Sequence, residues 1–270
     1  MGSYQSMRHH WPEYLMEAWG LGTFMLVAGT AVTLLEAPGA PLHQLVASPE
    51  LRRALIGLAM GVTAVAIIYS PWGRQSGAHL NPAVTLAFLY LGRIAPWDAL
   101  LYVVAQFAGG AVGIGLVQLL LGPAFAAPPV SHIVTVPGTA GPLTAFIAEM
   151  LIAFGLMFTV LRFIGHARLQ RYTGLAAGVL ITLYITIEAP LSGMSMNPAR
   201  TLASALPAGI WTGAWIYFSA PLLGMLAAAA MQRQIHATAP CAKLCHARDK
   251  RCIHCGYQPA SDTAPGVRHA

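Results

Sequence analysis

The sequence predicts an all-α membrane protein, with six transmembrane helices and two re-entrant half-helices arranged as an inverted repeat. Three observations predict it. Hydrophobic residues make up 56% of the chain and charged residues only 9%, where a soluble domain carries about a quarter charged residues. The apolar residues gather in six runs long enough to cross a bilayer, which takes about 20 helical residues. Two further apolar stretches are half that length, and each opens on Asn-Pro-Ala.

The six runs are residues 14–35, 54–70, 97–121, 142–164, 172–189 and 210–231. The first follows a polar segment with Arg8, His9 and His10 and contains no small-residue cleavage site, so it is expected to be an uncleaved anchor. Tyr14 and Trp19 suit an interfacial position there. Arg8, Arg93, Arg162, Arg168, Arg171, Arg233 and the basic tail fall on one side of this arrangement, and Arg52 and Arg53 on the other. Basic residues favour the cytoplasmic side, so both termini of a multi-pass cell-membrane protein are expected there. This placement accounts for the net charge of +6 without a nucleic-acid partner.

The half-length stretches are residues 81–91 and 197–206. As helices they would reach about 15 Å, half of the roughly 30 Å hydrocarbon core. Asparagine is a favoured N-cap, and proline suits the first turn, where its missing N–H is not needed. Asn81-Pro82-Ala83 and Asn197-Pro198-Ala199 therefore read as helix starts.

The chain also repeats itself. Glu17 in the first span corresponds to Glu149 in the fourth, and the Gly57/Gly61 pair to Gly174/Gly178. Ser76-Gly77 and Ser192-Gly193 precede the two Asn-Pro-Ala segments. Gly61 lies 20 residues before Asn81, and Gly178 lies 19 before Asn197. Three spans per half force the second half to insert upside down, which brings the half-helix N-termini together at the midplane. Their free N–H groups and dipoles would place partial positive charge there. The Asn81 and Asn197 amides would add donors for a passing oxygen. Such a centre favours neutral hydroxyl-bearing solutes and repels cations, hydronium included.

At this point the chain resembles the aquaporin, or major intrinsic protein (MIP), family, of bacterial type with some nodulin-type character. The resemblance covers roughly residues 12–233. It rests on Glu17 followed by Gly22-Thr23-Phe24, on 76–85 (Ser-Gly-Ala-His-Leu-Asn-Pro-Ala-Val-Thr), on Ala105-Gln106 and Glu149, and on 192–200 (Ser-Gly-Met-Ser-Met-Asn-Pro-Ala-Arg). It implies a non-enzymatic homotetrameric channel for water and small neutral solutes in a lipid bilayer, needing no cofactor for conduction. It also implies that Arg200 stands in the outer constriction and that Glu17, His79 and Glu149 brace the re-entrant loops. The remaining constriction positions map to Met60 (or Gly61), Ile185 and Met194. Strict water channels of the family place an aromatic residue and a histidine at the first two. Their absence suggests glycerol, urea or metalloid hydroxides as solutes.

Thr201 and Ala205 differ from glycerol facilitators, which carry an aspartate and a basic residue there, and Tyr217-Phe218 is similar to the water-channel pattern. A water-selective channel and a non-conducting structural membrane protein of the same fold therefore stay open. An active transporter is disfavoured, since no span carries paired acids. Glu188, at the end of the fifth span, has two readings, a loop brace or a pH-sensing gate.

The expected organisation is a cytoplasmic N-terminus (1–12), a channel domain (13–233, with halves of about 13–121 and 142–233) and a Cys/His-rich cytoplasmic tail (234–270). All four cysteines lie in the tail: Cys241, Cys245, Cys252 and Cys255, with His246 and His254 interleaved. Thiolates so close together on a cytoplasmic segment suggest a small Zn2+ site rather than disulfides. Redox-active thiols and an unstructured tail are the other two readings.

Overall fold

Proline sets the punctuation of this chain. In the computed structural model, which describes residues 3–235, 241–247 and 249–259, eight of the twelve described α-helices begin on a proline. A proline N–H would be unpaired at that position in any case, and the ring pre-sets the helical φ.

The first half contains α1 (Ser3–Glu36), α2 (Pro41–Leu45), α3 (Pro49–Tyr69), α4 (Pro71–Ser76), α5 (Pro82–Tyr90), α6 (Pro96–Leu121) and α7 (Pro123–Ala126). The second contains α8 (Pro142–Ile164), α9 (Thr173–Ile187), α10 (Ala189–Ser192), α11 (Pro198–Ala208) and α12 (Ala214–Gln234). The architecture is the expected all-helical membrane fold. Five helices, α1, α3, α6, α8 and α12, are long and apolar enough to span a bilayer.

The fifth expected span is shorter than its apolar run. α9 has 15 residues, about 22 Å at the helical rise. A 3-10 turn over Gln170–Tyr172 precedes it, and α10 continues the run after Glu188. The apolar run is thus broken into three helical pieces, with Pro190 just beyond the break.

Packing repeats between the halves. α1 lies along α6, α8 lies along α12, and α3 crosses α9 where the halves meet. That crossing needs glycine. A Cβ on Gly61 would sit 2.5 Å from the Gly178 carbonyl oxygen, and one on Gly178 would sit 2.7 Å from that of Gly61. The glycine repeat therefore brings two spans of one chain into backbone contact. Large apolar side chains such as Leu58, Val62, Val112, Leu119, Leu143 and Leu151 point outward, as lipid-facing helices require.

The candidate pore and its two half-helix caps

Each half-helix begins as its sequence dictates. Asn81 and Asn197 are extended N-caps, and each Oδ1 accepts from a backbone N–H of its own first turn: Ala83 at 2.9 Å, and Ala199 and Arg200 at 3.0 and 3.2 Å. The asparagines also bind across the repeat. Asn81 Nδ2 donates to Met196 O at 2.7 Å, and Asn197 Nδ2 donates to Leu80 O at 2.8 Å. α5 and α11 are thereby locked tip to tip, and one amide hydrogen of each asparagine remains for a solute.

Irregular backbone this deep must be satisfied internally, and two carboxylates supply the acceptors. Glu17 accepts from Ser76 Oγ (2.8 Å), His79 N (3.0 Å) and Leu80 N (2.7 Å). Glu149 accepts from Ser192 Oγ (2.8 Å), Ser195 N (2.6 Å) and Met196 N (2.7 Å). Ala78, Leu80, Met194 and Met196 all have φ between 50° and 53°, a left-handed conformation that ordinary residues adopt only when surroundings hold them in it.

The sequence reading missed several supports. Tyr102 Oη donates to Ser76 O and Tyr217 Oη to Ser192 O; these tyrosines lie 21 and 20 residues after Asn81 and Asn197, so the repeat offset could have found them. Gln106 Nε2 donates to Glu17 at 2.9 Å, a bond the second half lacks. Thr85 Oγ1 lies 3.1 Å from His79 Nδ1, and Thr201 Oγ1 lies 2.6 Å from Ser195 Oγ.

A cavity of about 560 Å³ passes between the halves. Arg53, Ile56, Met60, Ala64 and Ile68 line it at helical spacing along α3. It therefore runs about 22 Å, most of the length of that helix. Ala177, Ile181 and Ile185 line it from α9, and Asn81 and Asn197 also reach its wall. Met60, Ile185, Met194 and Arg200 all stand on the wall, whereas Gly61 does not, because its face is taken up by Gly178. Arg200 Nη1 donates to Ile133 O at 2.7 Å, and among the described residues its side chain makes no ion pair. Its remaining donors are available to the cavity.

Glu188 is buried beside Ser192, and neither carboxylate oxygen makes a hydrogen bond within 3.5 Å among the described residues.

The tail differs from expectation at one ligand. The donor atoms of Cys241, His246, Cys252 and Cys255 lie within 4.8 Å of one another, so this cluster could hold a metal ion. Cys245 is not part of it. Its side chain packs against the apolar core beside Leu244, and the next residue, His246, turns towards the cluster in its place. The hydrogen bond between the two sulfurs holds the Cys252 thiol below the usual thiol range and the Cys241 thiol above it. The donor set is that of a tetrahedral zinc site.

The profile of the Major intrinsic protein family matches residues 5–232. A probable aquaporin of NIP type from Nicotiana alata is 37% identical over 181 residues, 66% of this chain and 64% of the relative. Aquaporin NIP6-1 of Arabidopsis thaliana is 37% identical over 209 residues, 76% of this chain and 63% of the relative. The chain thus spans less than two thirds of the length of these curated relatives. Among solved structures, the aquaglyceroporin from Plasmodium falciparum superposes with a TM-score of 0.66 at 19% identity, covering 83% of this chain and 96% of its own.

Proposed function

This chain belongs to the major intrinsic protein family, a family of membrane channels and not of enzymes, and from that premise we propose that it passes water and small uncharged solutes of the glycerol, urea or metalloid-hydroxide type while excluding ions and protons. One observation carries the reading. The cavity wall sets the Arg200 guanidinium together with the apolar Met60, Ile185 and Met194, and Arg53 lines it further along α3. Methionine side chains reshape readily around a guest, so this wall suits solutes larger or less polar than water. Arg200 supplies fixed positive charge and donors for a solute oxygen. The two half-helix N-termini behind it add to the barrier against cations.

A water-selective channel is the second reading, favoured by Thr201 and Ala205. Both positions are buried off the cavity wall, and Thr201 bonds Ser195 and Thr135. That supports giving the wall residues the greater weight. The basic residues on the termini side, Arg93, Arg162, Arg168, Arg171 and Arg233, support a cytoplasmic placement of both ends in a cell membrane. Homotetramers, as in relatives, are the expected assembly. The tail's three thiols and one imidazole are assigned to Zn2+, which conduction itself does not require.

The test is a double substitution, Met60→Phe with Ile185→His, measured by stopped-flow light scattering of proteoliposomes. It should abolish glycerol and urea flux and keep water flux. If glycerol flux survives unchanged, these side chains do not form the filter.

A further inference from the structure

The tail is built onto the pore. The six residues from the first metal-cluster ligand to the second, Cys241 to His246, lie against the re-entrant loop that carries Asn81. Leu244 N donates to Gly77 O at 3.1 Å, and His79 Nε2 donates to Ala242 O at 2.7 Å. Between these two bonds the chain drives Leu244 inward, where it is buried and forms part of the cavity wall beside Ala78 and His79. Lys243, only 1% exposed, donates from Nζ to Arg74 O (3.2 Å) and Arg251 O (2.9 Å), so it ties α4 to the second half of the tail. That second half is anchored as well. Arg251 pairs with Glu13 on α1 at 2.8 Å, and His254 lies 3.1 Å from Ser76 O and stacks on the His79 ring at 5.8 Å.

The two docked pieces, 241–246 and 252–255, meet at the cluster. Cys241 Sγ lies 3.3 Å from Cys252 Sγ, and His246 Nε2 lies 3.3 Å from Cys255 Sγ. A tetrahedral zinc ion, with bonds of about 2.3 Å to sulfur and 2.0–2.1 Å to nitrogen, has sulfur–nitrogen edges of about 3.6 Å and sulfur–sulfur edges of about 3.8 Å. The four donor atoms lie within 4.8 Å of one another, so relative shifts of about 1 Å or less close them on one ion. Each piece supplies two ligands, so a metal would cross-link them. A segment this short has no apolar core of its own to hold its shape without the ion.

We propose that the tail is a zinc-dependent plug. Zn2+ held by Cys241, His246, Cys252 and Cys255 fixes the shape in which Leu244 narrows the termini-side mouth, and loss of the ion frees the mouth. The plug rests on the channel reading above, but it is separable from it. Residues 241–259 lie beyond the 5–232 family match, so the plug is an addition to the shared pore.

The experiment uses the full chain, purified without chelators and reconstituted in proteoliposomes. Zinc per chain is measured by mass spectrometry, and water and glycerol flux by stopped flow, before and after a membrane-permeant chelator and again after Zn2+ is restored. The expected results are one zinc per chain, a rise in flux on chelation and reversal by Zn2+. If the plug is seated in about nine chains of ten, the rise is roughly tenfold. Cys255→Ser should be open from the start and indifferent to chelator. Leu244→Ala should keep its zinc and still be open, which separates the plug from the metal site. Absence of zinc overturns the proposal, and so does stoichiometric zinc whose removal leaves a measurable flux unchanged. In both of those outcomes the channel stands. No flux in any variant or metal state would overturn the channel reading and the plug together.

Discussion

The two re-entrant loops are alike inside and unlike outside. Within each, a buried glutamate accepts the same three hydrogen bonds, a tyrosine hydroxyl binds the same serine carbonyl, and an asparagine reaches the opposite loop. Their covers come from different places. The connection between α7 and α8 lies over the α10–α11 loop, where Gly138 N donates to Leu191 O and Thr135 Oγ1 meets Thr201 Oγ1. The α4–α5 loop is covered by the tail, where Leu244 N donates to Gly77 O. Symmetry builds the paired loops at the centre, and departures from symmetry carry both the proposed filter at one end and the proposed plug at the other. Arg200 follows Asn197 by three residues, and the matching position after Asn81 is Val84.

The largest stability effect should come from the carboxylates. Glu17→Gln and Glu149→Gln each turn an amide N–H towards donors that need an acceptor. Bonds to a charged group are each worth about 1.5–3 kcal/mol, so each change should cost about 3 kcal/mol or more. Glu17 also holds Gln106, so its variant should melt lower in detergent. A larger loss at Glu149 would break the comparison. Next in size, Arg200→Val makes the second half match the first. It should admit cations and bulkier solutes in liposome flux and conductance assays, because the fixed charge is lost. Unchanged ion exclusion would place the barrier at the half-helix ends instead.

Smaller still, Thr201→Val removes the hydroxyl shared by Ser195 and Thr135. It should cost about 1 kcal/mol of thermal stability and leave zinc-dependent flux untouched. Glu188→Gln should have the least effect on the fold. Its buried oxygens have no partners to lose, so a neutral amide should be neutral or up to about 1 kcal/mol stabilising. A marked loss of stability would mean that Glu188 has a partner outside the described residues.

Much of this was legible in the sequence because it repeats. The caps at Asn81 and Asn197, the half-helices behind them, and the Glu17/Glu149 pair follow from local propensity read twice. What depends on distance was harder to read. Met60 and Gly61 are adjacent, and only the approach of Gly178 to Gly61 decides which of them faces the cavity. α9 is cut short by a 3-10 turn and Glu188, although its apolar run continues. In the tail no period sets the register, so a count of cysteines selects Cys245, whereas insertion of Leu244 into the core brings His246 to the cluster. The contact between His79 and Ala242 joins residues 163 apart, and no local signal carries it.

The most direct test of the account is the ratio of glycerol to water flux through the full chain in proteoliposomes stripped of zinc, where the plug is absent. A filter of Met60, Ile185, Met194 and Arg200 predicts that glycerol and urea cross alongside water while protons do not. Rapid water flux with no glycerol or urea flux would contradict it.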